Sequence, residues 1–218
     1  MLTAMLLATL ALQEHATWER FAPGSWVEHK TTGTREDKAV ETVRKTLFRE
    51  ITSTDLVLAS ETTETGGGRV VMDIKYPLPQ REAAPEPEPE KKIRNEDLPV
   101  ETRTFPCEVR ERKGVQRWIC ADVKANGGVL KTEATSGTVK ILTRVLKLDE
   151  KVKVGNATVA CWVREDVTDT GDQKTVRTHW ISDEVPGGYV RTEVRQTQAG
   201  KVVEKTDTVL TGFEVVKK

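Results

Sequence analysis

The chain has 218 residues, and its 34 Lys and Arg balance 34 Asp and Glu, so the formal charge at neutral pH is zero. This length allows one or two domains with a buried core. A nucleic-acid partner is not expected, because the sequence has neither a basic excess nor a basic stripe. The charged residues instead alternate with Val and Thr, which is typical of the water-facing side of a β-sheet.

The first predicted element is a secretory signal at residues 1–12. This largely apolar run is followed by Gln13 and Glu14 and is shorter than the roughly 20 residues that a membrane-spanning helix needs. Small residues at Thr9 and Ala11 fit a signal-peptide cleavage site. The usual basic flank is missing, so the alternative is a short amphipathic helix packed on the protein. We expect an exported protein of the periplasm or cell envelope with no transmembrane span.

Residues 20–76 are predicted to form β-hairpins. Runs rich in Val, Thr and Ile are separated by clusters of Gly, Asp or Ser, which indicates short strands and turns. The segment 35–49 could instead form a helix because it lacks Gly and Pro, but its Val and Thr content favours a strand. The predicted strands cover residues 25–32, 40–49, 55–63 and 69–75.

Residues 77–99 are predicted to be an extended linker or long loop. The stretch 84–92 alternates Pro with Glu and ends in two Lys residues. Proline lacks the N–H that a sheet ladder needs, and the segment offers almost no apolar side chains to bury. Such acidic, Pro-rich segments are usually spacers.

The region 100–218 is interpreted as two copies of one unit, 100–149 and 150–218. Segment 100–111 matches 154–165 at six of twelve positions, 117–123 matches 179–185 at three of seven, and 127–133 matches 187–193 at four of seven. The shared Cys, Trp and Gly-Gly are the informative matches, since Val, Thr, Arg and Glu recur throughout. A repeat of this length indicates one supersecondary unit used twice. The alternative is convergence of two similar hairpins.

The first copy predicts a disulfide. A two-residue turn at 113–114 places Val109 opposite Trp118 and Cys107 opposite Cys120. The cysteines then form a non-hydrogen-bonded pair, with Cα atoms about 4.5 Å apart, at the short end of disulfide geometry. The alternative is that all three cysteines are reduced and buried.

The second copy predicts the same register. A two-residue turn at 171–172 places Val163 opposite Trp180 and Cys161 opposite Ser182. The Val and Trp residues of both copies are therefore expected on the core face, with the intervening side chains turned to water.

His179 is accordingly expected on the outward face. A catalytic group of His179, Ser182 and Asp183 is disfavoured, because strand alternation places His179 and Ser182 on opposite faces. No Cys-x-x-Cys motif indicates zinc or redox chemistry, and glycines 66–68 precede no helix that could hold a phosphate. We assign no catalytic, cofactor or metal residue, and we do not expect an enzyme.

Residues 180–193, WISDEVPGGYVRTE, and the stretch 154–161 that leads into the same hairpin resemble the periplasmic lipoprotein-carrier-like proteins and their uncharacterised relatives. In that group a Trp-rich strand ending in Ser/Asp is followed by a strand with Val-Arg-x-Glu. The resemblance covers about 40 residues. It implies a curved, half-open antiparallel sheet whose concave face can shelter an acyl chain. No functional residues are carried over, because this chain has few aromatic residues and no evident lid helices.

The expected fold is therefore mostly β: a curved antiparallel sheet or half-open barrel of long hairpins, with 20–76 and 100–218 in one continuous sheet and little helix beyond the signal. The expected function is binding of a lipid or other apolar ligand on the concave face. The alternative is a non-enzymatic structural or interaction module with an envelope protein as partner. A large apolar cavity would favour the ligand, and a filled core with an exposed strand edge would favour the module.

Overall fold

A computed structural model describes residues 17–64, 67–78 and 89–217 of the chain. The predicted signal at 1–12 and residues 79–88 of the predicted linker lie outside these ranges. The described residues form thirteen strands and a short 3₁₀ helix at Ala125–Gly128. The strands are β1 (Trp26–Arg35), β2 (Lys38–Ile51), β3 (Asp55–Glu64), β4 (Arg69–Pro77), β5 (Lys91–Val100), β6 (Arg103–Arg112), β7 (Val115–Ile119), β8 (Val129–Ser136), β9 (Val139–Val154), β10 (Ala157–Asp169), β11 (Gln173–Ile181), β12 (Tyr189–Gln198) and β13 (Lys201–Glu214).

All thirteen strands belong to one antiparallel sheet that does not close. Its order is β4-β3-β2-β1-β13-β12-β11-β10-β9-β8-β7-β6-β5. Strands that follow one another in the chain are neighbours, with one exception: β4 and β5 lie at opposite edges, and β1 pairs with β13 in the middle. The predicted mostly-β fold is confirmed, including a single sheet shared by the N-terminal hairpins and the C-terminal region. No helix in the described ranges is long and apolar enough to cross a membrane.

The end of the predicted linker is a strand. Residues 91–99 lie in β5, which pairs with β6 from Lys91 to Val100. Its charged side chains suit an edge strand, where one side of the backbone and much of the surface meet water. Pro99 is tolerated near the end of such a strand because an edge residue need not donate to a second neighbour. Composition alone therefore placed the end of the linker too late.

Both predicted hairpin registers are present. Val109 pairs with Trp118 in β6 and β7, and Val163 pairs with Trp180 in β10 and β11. In the first hairpin, turn residues 113–114 both have positive φ, as a two-residue turn between right-twisted strands requires. Most of the segment 35–49, for which a helix was the alternative, lies in β2.

The two copies agree in details that the sequence match does not contain. The ladder slips by one residue directly after Trp118 and again directly after Trp180. The loops that follow are closed alike: the Cys120 N–H donates to Gly128 O, and the Ser182 N–H donates to Gly188 O, each at 2.8 Å. Equivalent bulges and loop closures at aligned positions support duplication over convergence.

A basic side chain also packs over the ring of each matched tryptophan. The Lys131 ammonium lies 4.3 Å from the centre of the Trp118 ring, and the Arg191 guanidinium lies 4.9 Å from the Trp180 ring. Lys131 and Arg191 are aligned residues of the repeat. Trp118 is fully buried, as predicted, whereas Trp180 is only half-buried, so the predicted core face is less complete in the second copy.

Two apolar clusters make up the core. The first core combines residues from β1–β3, the β9–β10 hairpin and the segment 182–190; its buried members are Trp18, Phe21, Val27, Phe48, Leu56, Leu58, Val154, Val159, Cys161, Val185, Val190 and Leu210. The second core lies under β5–β9 and contains Val100, Phe105, Cys107, Val109, Trp118, Cys120, Val123, Leu130 and Val145. The aligned Cys107 and Cys161 of the two copies thus lie in different cores.

The predicted disulfide between Cys107 and Cys120 is present in the structure, with Cα atoms 4.3 Å apart. Cys161 is free and buried. Burial raises the pKa of the Cys161 thiol to about 11, and the carboxylates of Glu150 and Glu184 add to the effect. Cys161 is therefore a protonated core residue at neutral pH.

Candidate functional site

The part of the sheet from β3 to β12 in the strand order curves around a groove of about 500 Å³. Its lining comes from β1, β2, β3, β12 and β13, and five consecutive strands can face one groove only if the sheet bends around it. Alternate residues of a strand share a face, and on the face turned to the groove each of these five strands places at least one Thr, which gives a partly polar lining. Its threonines are Thr31, Thr42, Thr62, Thr192, Thr206 and Thr208.

Four of these threonines form a row across the sheet. Thr192 pairs with Thr208, Thr208 with Thr31, and Thr31 with Thr42. The hydroxyls of Thr31 and Thr208 are hydrogen-bonded at 2.8 Å. Each Thr hydroxyl can both donate and accept, so the row can bond a polar ligand that lies across the strands.

A smaller pocket of about 130 Å³, with both polar and apolar lining, continues the groove toward the first core. Its apolar lining consists of Trp18, Val27, Leu58, Tyr76 and Pro186. Three residues line both spaces: His29, Arg44 and Tyr189. The concave face therefore has a part lined by threonines and a part lined by more aromatic and aliphatic side chains, which meet at these three residues.

Arg44 is the groove arginine without an ion pair. Arg35 pairs with Glu204 at 2.9 Å, and Arg191 pairs with Asp207 at 2.8 Å. Arg44 donates from Nε to the buried Ser60 hydroxyl at 2.9 Å, and no carboxylate of the described residues lies within ion-pair distance of it. The junction of the two spaces thus carries a positive charge that no carboxylate of the described ranges pairs with.

His29 lies beside this arginine. Its Nε2 is 2.9 Å from the Tyr189 carbonyl oxygen, to which it donates. Burial lowers the pKa of His29; the bond to the Tyr189 carbonyl opposes that effect, and the positive charge of Arg44 lowers the pKa further. His29 is therefore neutral at pH 7, and Arg44 holds the positive charge at this point.

His179 is buried next to the groove, so the prediction that it faces outward is wrong. Its Nε2 lies 3.3 Å from the Asp166 carboxylate, and its Nδ1 lies 3.0 Å from the Thr192 hydroxyl. Its ring packs on Tyr189 with centroids 5.2 Å apart. The sheet is covered on both faces here: Val163 and the adjacent Arg164 are both buried.

Asp166 is held ionised by its neighbours. Burial acts to raise the pKa of this carboxyl, but the hydrogen bond from His179, the charge of Arg164 and a hydrogen bond from Thr143 together hold it below its ordinary value. The Arg164 Nε donates to Asp166 at 3.0 Å. A buried charge needs such compensation, and this cluster forms one wall behind Thr192 and Tyr189.

His179 is not brought together with Ser182 and Asp183. The Ser182 hydroxyl accepts the Glu184 N–H at 3.2 Å, and Asp183 forms an ion pair with Arg20 at 2.9 Å. Within the described ranges, no three His, Cys, Asp or Glu side chains are grouped closely enough to hold a metal ion.

The sequence reasoning did not find the groove residues. Thr31, Thr42, Thr192 and Thr208 are ordinary strand residues when each is taken alone. Their alignment depends on the β1–β13 pairing, which joins residues as far apart as Trp26 and Glu214. The only local signal was in β13, where Thr206 and Thr208 stand two positions apart and so share a face.

No protein-family model matches the chain, and no curated protein matches it. Among solved structures, the chain is similar to a "putative lipoprotein" from Parabacteroides distasonis, with a TM-score of 0.43 and 14% identity over 88% of this chain and 96% of that one. It is also similar to a "putative exported protein with YmcC-like fold" from Bacteroides fragilis, with a TM-score of 0.37 and 11% identity over 89% and 97% of the two chains. These values do not assign a function.

Proposed function

We propose that this chain is an exported, non-enzymatic binding protein whose concave groove holds an amphiphile with an anionic group. The observation that carries the proposal is Arg44, which forms no ion pair with a described residue and stands between the smaller pocket and the Thr-lined groove. A guanidinium in such a place can bind a carboxylate or phosphate through two parallel hydrogen bonds.

The two spaces would hold different parts of the ligand. An apolar chain fits the pocket formed by Trp18, Leu58 and Tyr76, and polar groups fit the threonine row. A wholly apolar ligand fits less well, because it would strip water from Arg44 and the Thr hydroxyls without replacing their hydrogen bonds. The lipid expected from the sequence is thereby narrowed to one with a charged end.

Export is supported by the apolar run at residues 1–12 and by the Cys107–Cys120 disulfide. Disulfides persist in oxidising compartments such as the periplasm and are rare in the cytosol. The proposed place of action is therefore the periplasm or cell envelope.

The test uses a fluorescent fatty acid and its uncharged methyl ester as probes. We expect the acid to bind more tightly than the ester, and Arg44→Gln to weaken acid binding by about tenfold or more, since a charge-assisted hydrogen bond contributes about 1.5–3 kcal/mol. Binding of the ester should change little. Fluorescence titration of the purified chain measures both affinities.

Lys45→Gln is the matched control. Lys45 is the next residue of β2 and stacks on Trp26, 4.1 Å from the ring centre, on the opposite face of the sheet. The Lys45→Gln substitution removes one positive charge without changing the groove, so affinity for the acid should be retained. Equal affinity for acid and ester, or equal losses in the two variants, would contradict the proposal.

A second candidate function is the interaction module expected as the alternative. The feature that favours it is the free edge of β4, where three consecutive apolar side chains are exposed. Exposed edges of this kind accept an added strand from a partner.

A further inference from the structure

The two edges of the open sheet are protected to different degrees. β5 carries five charged side chains among its ten residues, which is a common way of keeping an edge from pairing. On β4, Val70, Val71 and Met72 are 50%, 59% and 51% exposed. Within the described ranges β4 pairs with β3 alone. A long edge strand with an exposed apolar centre is a template for another strand.

The backbone of β4 shows which groups are available. The Glu64 N–H donates to Gly68 O at 3.0 Å, and the Leu78 N–H donates to Thr54 O at 2.6 Å. Because hydrogen-bonded and non-hydrogen-bonded pairs alternate in an antiparallel ladder, the even-numbered residues of β4 bond to β3. The N–H and C=O groups that point to the free edge belong to the odd-numbered Arg69, Val71, Asp73 and Lys75. Pro77 is also odd-numbered, but it has no N–H and can only accept.

We propose that two copies of this chain pair antiparallel through β4, with a two-fold axis at Val71. Val71 then faces Val71 of the second copy, and Arg69 faces Asp73 of the second copy. All of these residues have outward-pointing backbone groups, so each facing pair is a hydrogen-bonded pair. On the other face of the sheet, Val70 lies beside Met72 of the second copy.

Charge complementarity favours this register. Arg69 is bonded to Glu61 at 2.7 Å, and Asp73 to Arg49 at 3.5 Å. In the dimer these two pairs join into a four-charge row of alternating sign, Glu61–Arg69–Asp73–Arg49, which crosses the interface once, and the two-fold axis generates a second such row. Opposite charges directly across an antiparallel pair are stabilising.

Neighbouring registers are less favourable. A two-fold axis at Met72 would place Arg69 opposite Lys75 and the apolar Val71 opposite Asp73. An axis at Asp73 would place two carboxylates opposite each other. Like charges in facing positions are destabilising, and a shift by half a step would set outward-pointing groups against inward-pointing ones.

This inference rests on the interaction-module function and not on the groove. Arg44 and the threonine row do not take part in the proposed contact. Failure of dimerisation would therefore leave amphiphile binding untouched, and failure of amphiphile binding would leave the β4 contact untouched.

Cysteine trapping tests the register. In Val71→Cys the two introduced thiols would lie across the two-fold axis, in a hydrogen-bonded pair with Cα atoms about 5.5 Å apart, which a disulfide can bridge. We expect mild oxidation to give a covalent dimer on a non-reducing gel. Met72→Cys is the matched control and should stay monomeric on the gel. Trapping of Met72→Cys but not of Val71→Cys would overturn the proposed register.

Charge reversal tests the association itself. Analytical ultracentrifugation of the full chain should show a monomer–dimer equilibrium. Asp73→Arg should weaken the dimer by about tenfold, since the reversal acts at two symmetric positions. Arg69→Asp combined with Asp73→Arg should restore it. A wild-type chain that remains monomeric from micromolar to near-millimolar concentration, with its circular dichroism intact, overturns the proposal.

Discussion

At the residue scale, His29 in the groove makes the stability of the fold depend on pH. The pKa of its imidazole is lowered by burial and by Arg44, against the opposing bond to the Tyr189 carbonyl. Below the ordinary His pKa of about 6.5, the unfolded chain therefore binds a proton that the folded chain resists. The contribution of His29 to stability is complete above that pH and is lost as the pH falls toward the folded-state pKa.

His29→Gln tests this linkage because Gln can still donate an N–H to the Tyr189 carbonyl. Wild type should lose stability as the pH falls below about 6.5, by up to about 1.4 kcal/mol for each unit by which the pKa is lowered. The variant should lose less over the same interval. Urea unfolding at a series of pH values measures the difference, and parallel profiles would contradict the role assigned to His29.

The cysteines and His179 show what the sequence could predict for single residues. The Cys107–Cys120 bond could be predicted by counting residues back from the turn at 113–114, because both cysteines belong to one local hairpin. The burial of His179 depends on Asp166, Thr192 and Tyr189, which approach it only after the sheet bends. Alternation along a strand defines two faces, but it does not tell whether one or both are covered.

At the element scale, Gly33 shows how tightly β1 and β13 are joined. Its φ is +151°, and a Cβ built there would lie 2.1 Å from Lys205 O and 2.7 Å from Thr206 Cα. The β13 backbone cannot move away without breaking the pairing that holds the two strands in register. The chain therefore needs a glycine at this crossing.

Gly33→Ala should lower the free energy of unfolding by about 2 kcal/mol or more, because strained φ and a backbone clash act together. Gly68→Ala is the control: a Cβ there meets nothing within 4 Å and its φ is not in the positive range. Its effect should stay within about 1 kcal/mol. Denaturant unfolding of both variants gives the comparison, and equal losses would count against the clash.

Strands and turns were largely predictable as elements. β1–β4 lie close to their predicted positions, and both repeat hairpins have the predicted register, since glycine turns and period-two patterns are local signals. The bulges after Trp118 and Trp180 were not predictable, because an inserted residue leaves no mark on composition. β5 was missed because half of its residues are charged, which an edge strand can accommodate.

At the scale of the whole molecule, the groove depends on a pairing that no local pattern encodes. The predicted curved sheet of hairpins was correct in kind, and N- and C-terminal regions do share one sheet. What the sequence could not supply was the strand order, which sets β1 beside β13. The threonine row and Arg44 face one another only because of that order.

The strand order is that of a simple antiparallel meander running from β5 through β13 and on through β1 to β4, except that the chain begins and ends between β13 and β1. Ala22 donates to Val216 O at 3.0 Å, so the two described ends lie side by side in the middle of the sheet. A circular permutant that joins these ends by a short linker and opens the chain within residues 79–88 would run from β5 through β13 and then β1 to β4. Every strand would then follow its own neighbour.

Such a permutant should keep the circular dichroism spectrum and a free energy of unfolding within about 1 kcal/mol of wild type, because no strand pair is lost. It should refold several-fold faster, since its most distant pairing, β1 with β13, becomes local. Stopped-flow refolding measures the rates; equal rates would mean that closing β1 on β13 does not limit folding. In the natural order, the groove is completed only when the two ends of the described chain meet.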